Sequence, residues 1–164
     1  MVGAIEPKLR QAEIERAQRK RPESLDAYDF YLRSLPLAFT SMPDDADKAL
    51  DLLKKAIDLE PEYPAAHAVS ALCYEQRYMR GGQIEADRTA GIRHARAAIA
   101  AGRDDATALA LGGFVIGVLE QDHDTALHSL DRSLSLCPSF ATALGFSSVN
   151  LHSPFRASAW SGMR

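Results

Sequence analysis

Two stretches of the chain repeat one another. ALDLLKKAIDLEP runs from Ala49 to Pro61 and ALHSLDRSLSLCP from Ala126 to Pro138. Counting from the first Ala, Leu53 and Leu130 lie four residues on, Ala56 and Ser133 seven, Pro61 and Pro138 twelve. Offsets of four and seven put three residues on one face of an α-helix. Two of the three are small, so a neighbouring helix can come close. Pro follows where the apolar pattern ends, and stops the helix. A repeat constrains a fold more than any single motif does, because each copy buries its face only against its neighbours.

The copies start 77 residues apart, which suits two units of about 34 residues plus insertions. A middle copy is therefore expected near residue 90. AGIRHARAAIAAG supplies it, with Ala90, His94, Ala97 and Gly102 at the same offsets and Gly as the stop. Sliding by one residue aligns Ile99 better, so both registers stay open. A second half-motif follows each stop: EYPAAHAVSALCYEQR, RDDATALALGGFVIGVLE and SFATALGFSSVN. Ten residues past each stop sits a small residue, Ala71, Gly112 or Ser148, with Tyr74, Val115 and Leu151 three further along the same face.

These patterns resemble the tetratricopeptide repeat, whose unit is a helix–turn–helix of about 34 residues with small residues at the helix crossing and a closing Pro. The likeness covers roughly residues 24 to 151 and is looser in the first helix of each pair, where His67 and Ser70 stand at positions usually filled by large residues. It implies an all-α fold, a right-handed superhelix of antiparallel helix pairs. The expected organisation is an N-terminal linker helix over 1–22, repeats over 23–151 (about three units plus the first helix of a fourth), and an irregular tail over 152–164.

Within that frame, residues 4–20 read as a charged helix with a weak stripe of Ile5, Leu9, Ala12 and Ile14 or Ala17. Ser24 is placed to cap the next helix, and Pro36 to kink or end it. TSMPDDAD reads as a loop whose acidic residues suit a helix start. Gly81 and Gly82 mark a bend in an insertion between Tyr74 and Ala90. EQDHD adds a shorter one. The fourth unit begins at Phe140 and shows no second helix, leaving Phe146, Val149, Phe155 and Trp160 to be covered.

Composition is that of an ordinary globular chain, 46% hydrophobic and 25% charged. A net charge of −3 gives no general attraction to nucleic acid or anionic membrane. No apolar run reaches the roughly 18 residues of a membrane span, and the first residues lack a signal-peptide core. Cys73 and Cys137 make no disulfide framework, which points to a reducing, cytoplasmic setting. Of the five histidines, His123 and His128 fall on different helix faces, while His67 and His94 take core-type positions. No metal-ligand spacing appears, and no His and acid constellation accompanies either cysteine. Gly81–Gly82 and Gly112–Gly113 follow no strand and precede no Lys-Ser/Thr, so neither is a phosphate loop. RAQRKR, Arg16 to Arg21, reads as a solvated basic face. No catalytic residue, metal or cofactor is expected.

The resemblance implies a concave groove lined by the first helix of each pair. Its partner-binding candidates are Asp29, Phe30, Arg33, Val69, Leu72, Glu75, Gln76, Leu109, Ile116 and Phe146. The Lys and Asn set with which some family members clamp a peptide carboxylate is absent from these positions. The expected occupant is a protein or peptide, a neighbouring domain of a parent chain, the chain's own N-terminal helix, or a second copy pairing through the uncapped fourth unit. The segment VGAIEPKLRQAEIERAQRKRPESLDAYDFYLRSLP also resembles the junction before the repeats in bacterial multidomain adenylate/guanylate cyclase or TolB-like signalling proteins. That likeness implies a regulatory portion of a cytoplasmic signalling protein, with any cyclase domain lying outside these residues.

Overall fold

A computed structural model describes residues 5–20 and 25–138. The described residues are all-α and contain no strand. Seven helices follow one another: α1 (Ile5–Arg19), α2 (Ala27–Ala38), α3 (Pro43–Leu59), α4 (Pro64–Arg80), α5 (Glu85–Ala101), α6 (Ala106–Val115) and α7 (His123–Leu136). Each boundary has a local cause. Asp26 caps α2 in a reciprocal box, its side chain taking the Asp29 N–H while the Asp29 carboxylate takes its own. The cap expected at Ser24 lies outside the described residues, and the helix starts after Asp26 instead. Pro43 and Pro64 sit in the first turns of α3 and α4, where a missing N–H costs nothing. Asp105 and Asp122 cap α6 and α7.

α2 with α3, α4 with α5 and α6 with α7 form hairpins. Their helices run antiparallel: Arg77, late in α4, meets Asp87 at the start of α5 at 3.1 Å. Ser133, late in α7, donates to the Ala106 carbonyl at the start of α6 at 2.7 Å. Successive first helices run parallel. The Tyr31 and Tyr63 rings meet at 5.4 Å near the beginnings of α2 and α4, and Gln76 Nε2 donates to the Ala38 carbonyl at 3.0 Å near their ends. α4 is the central helix, packed on α2, α3, α5 and α6.

The repeat triplets lie at the tightest points. Ala49, Leu53 and Ala56 are fully buried, as is Ala126, and Ser133 nearly so. In the middle copy the buried set is Gly91, Ala95 and Ala98, so the register shifted by one is the one used. Ala90, His94 and Ala97 are only half-buried. A Cβ on Gly91 would come within 2.7 Å of Leu119 Cδ1 and 3.3 Å of Tyr74 Cβ. One on Gly113 would lie 2.9 Å from Ser129 Cβ and 3.1 Å from the Ala126 carbonyl oxygen.

The insertions extend helices rather than loops. The residues after Tyr74 lengthen α4 to Arg80, and α5 starts at Glu85, leaving only a four-residue turn. α6 continues into a π-helical stretch, Ile116–Glu120, which takes up extra length without a long connection. Pro36 neither ends nor interrupts α2, which runs two residues further. In α1, Ile14 and Ala17 are buried while Leu9 is exposed. Phe146 and the 152–164 tail lie outside the described residues. Replacing Gly113 by Val would force α6 from α7 and is expected to cost about 2 kcal/mol, read from urea unfolding. An unchanged midpoint would show that this crossing can relax.

Candidate functional site

The predicted groove residues divide by what they already touch. Asp29 is fully buried. Its Oδ2 receives Lys20 Nζ at 2.6 Å and the Asp26 N–H at 3.1 Å. Burial pulls its pKa up, but Lys20 and Asp26 outweigh burial and hold the carboxyl below the ordinary aspartate value. Arg33 reaches back to α1, donating through Nε to the Ala17 carbonyl at 2.9 Å and through Nη2 to that of Lys20 at 2.7 Å. A longer 3.4 Å contact joins it to the Gln18 carbonyl. These carbonyls lie at the end of α1, where few intrahelical partners remain, so a cation meets both their hydrogen-bonding need and the helix dipole; the Ala17 carbonyl also accepts the Lys20 N–H at 3.2 Å. Asp29 and Arg33 therefore hold the chain's own first helix.

Phe30 turns toward α3, where Lys55 Nζ lies 5.7 Å from its ring centre. Gln76 is spent on the end of α2. Val69 and Ile116 are fully buried, and Leu109 is nearly so. Leu72 is at the edge of burial at 9% exposure. Glu75 is half-buried, and no hydrogen bond or ion pair joins it to the described residues. Burial raises its pKa to about 7, with Arg80 opposing weakly. Of the predicted set, Leu72 belongs to the hydrophobic core, and Glu75 is the residue left at a surface without an internal partner.

A second constellation lies on the other side of α4, where sequence reasoning placed only core histidines. His67 Nε2 stands 2.8 Å from the Pro61 carbonyl oxygen. A carbonyl only accepts, so that nitrogen carries a proton, and with the ring neutral His67 Nδ1 is an acceptor. His94 Nδ1, 2.9 Å away, must then be the donor, which leaves His94 Nε2 with a bare lone pair. Tyr74 stacks on His94 at 5.6 Å and 16°. The Arg77 guanidinium lies 5.7 Å from the Tyr74 ring centre and pairs with both Asp47 and Asp87 at 3.1 Å. Burial, then His67 and Arg93, push the His94 pKa down to about 4. The spacing His67–Tyr74 and Tyr74–Arg77 put all three on one face of α4. The hydrogen bond across to α5 could not be read without knowing the register.

Among the described residues no group of three His, Cys, Asp or Glu side chains could hold a metal ion. Cys73 is buried and its thiol pKa is pushed up to about 12, first by burial and then by Asp47, which suits packing rather than nucleophilic attack. No described helix is long and apolar enough to cross a membrane. No family model, curated protein or solved structure matches the chain.

Two measurements follow from these contacts. Arg33→Ala should destabilise the fold by about 2 kcal/mol and speed amide exchange along α1; unchanged exchange would show that α1 is held by other means. The pH response has two opposing parts. His94 has a folded pKa of about 4 against an ordinary 6.5, so its contribution is full above 6.5 and is lost as pH falls toward 4. Glu75, at about 7 against 4.5, favours the folded state at low pH, and that contribution is lost as pH rises through 7. Glu75→Gln should thus add about 1–2 kcal/mol above pH 7 and little below pH 4.5, while His94→Gln should flatten the acid limb. Urea unfolding of both variants across pH checks the signs.

Proposed function

We propose that this chain is a tetratricopeptide-type helical-repeat scaffold, a right-handed superhelix that binds a protein or peptide and catalyses nothing itself. The observation that carries the reading is the stack of three antiparallel helix hairpins, with Ala, Gly and Ser at each crossing and parallel first helices alongside one another. Such stacks present an extended face built from their first helices. On that face Glu75 and exposed Met79, one turn further along α4, are the contact residues. An apolar edge beside a half-buried carboxyl fits a helix or strand that brings an amide or a cationic group to Glu75. In the parent setting the partner is a neighbouring domain of a cytoplasmic signalling protein or a protein it regulates.

A second reading, self-association through the C-terminal part of the chain, is favoured by Leu134, 37% exposed on α7, the last helix among the described residues. Light scattering over a wide concentration range separates the two: a dimer broken by Leu134→Lys supports association, and a monomer throughout removes it. For the first reading, a photo-reactive side chain at position 79, exposed in Met79, is compared with one at exposed Asp131. Capture of one defined protein at 79 and not at 131, abolished by Glu75→Lys, is the expected result. Equal capture at both positions, or capture unaffected by Glu75→Lys, would overturn it.

A further inference from the structure

The open cleft between α3 and α5, floored by α4, has a volume of about 560 Å³, within the size range of small-ligand pockets. None of the predicted groove residues lines it. One wall is a stripe of α3, Asp47, Leu50, Asp51, Lys54 and Ile57; the floor is Ser70, Tyr74 and Arg77; the far wall is Arg93 and His94. The floor is already satisfied. Arg77 is held by Asp47 and Asp87, and the Ser70 hydroxyl donates to the Ala66 carbonyl. The walls are not. Lys54, Asp51 and Arg93 make no ion pair or hydrogen bond with the described residues.

His94 adds a neutral acceptor. Its Nδ1 proton is committed to His67, and the His67 proton to Pro61, so Nε2 offers a lone pair and nothing else. The half-buried His94 ring lines the cleft. The His67–His94 bond also fixes the ring, as a hydrogen bond at the second nitrogen does in other histidine sites.

We propose that this cleft binds a small amino-acid-like ligand: an oxyanion, carboxylate or phosphate, beside an ammonium or other N–H donor. Lys54 and Arg93, from facing walls, take the oxyanion. Guanidinium and ammonium groups bind such oxygens through charge-assisted hydrogen bonds. His94 Nε2 and the Asp51 carboxylate take the N–H. Asp51 also disfavours ligands with no N–H donor, because nothing on them would meet its carboxylate. The Tyr74 ring, with Leu50 and Ile57, supplies the apolar surface for the ligand's carbon body.

The test uses the full chain with its histidines labelled with nitrogen-15. Ring-nitrogen spectra are followed near neutral pH at constant ionic strength, with L-glutamate, O-phosphoserine or inorganic phosphate added in turn. Saturable movement of the His94 Nε2 signal is expected with at least one of the two amino acids and not with inorganic phosphate. Because the two share the α-carboxylate and ammonium, the one that binds tighter shows whether the cleft prefers a carboxylate or a phosphate as the side-chain group. Lys54 and Arg93 are exposed, so the pair K54Q and R93Q should leave the thermal midpoint unchanged while weakening binding about tenfold or more. If the double variant fails to fold, Lys54→Glu alone should weaken binding in the same sense. No saturable movement with either amino acid, an equal response to inorganic phosphate, or equal binding by the variants would overturn the proposal.

Discussion

Close approach of helices at small residues is the constraint on which the rest depends. Where α4 meets α5, Gly91, Ala95 and Ala98 leave no room for a larger side chain. The two backbones come near enough for His67 to reach His94 and for Arg77 to reach Asp87. The same holds where Gly113 meets Ala126 and Ser129. Polar groups that would stay solvated across a wider gap are brought into hydrogen-bond distance and partly dried. Their pKa values then shift because of the packing: the His94 depression is first a burial effect. The alanines and glycines thereby set the geometry of a site whose chemistry they do not touch.

The beginning of the stack uses a different device. Among the described side chains of α1, the buried apolar ones are Ile14 and Ala17, too little apolar area to hold a helix by the hydrophobic effect alone. Charge completes the attachment. Arg33 gathers the carbonyls at the end of α1, and Lys20 reaches the buried Asp29. Tyr28 adds a hydrogen bond to Glu13 at 2.7 Å. A buried carboxylate is costly unless it is paired and bonded, so Asp29 needs Lys20 as much as α1 needs α2. This reciprocity is why two residues expected to meet a partner instead close the first hairpin against the chain's own helix.

What could be read from the sequence follows period and punctuation. The hairpin order, the turn at Pro61, the stops at Gly102 and Pro138, and burial of Ala49, Leu53 and Ala56 all come from helical spacing and helix-breaking residues. The middle register was ambiguous because α5 is rich in Ala on more than one face, and only packing against Tyr74 and Leu119 selects Gly91 over Ala90. The insertion after Tyr74 looked like a loop because two glycines interrupt it, yet Glu85 and Asp87 start a helix at once, so the length went into turns of α4 and α5. The candidate groove was drawn from helix numbering alone. That numbering cannot tell that Arg33 is long enough to cross to α1, or that Phe30 lies beside Lys55. The polar cleft left no motif, since its walls come from α3 and α5 and its floor from α4, with no common spacing.

α4 joins these observations because it is packed on four neighbours and faces two ways. Ser70, Tyr74 and Arg77 lie toward α3 and α5, while Leu72 and Glu75 lie a third to half a turn away around the same helix. A rigid helix cannot move one face without the other. Displacing Arg77 would break its bridges to Asp47 on α3 and Asp87 on α5, and rotating Tyr74 would unstack His94. Any ligand that draws α3 and α5 together would therefore act on α4 through those two bridges and that ring stack.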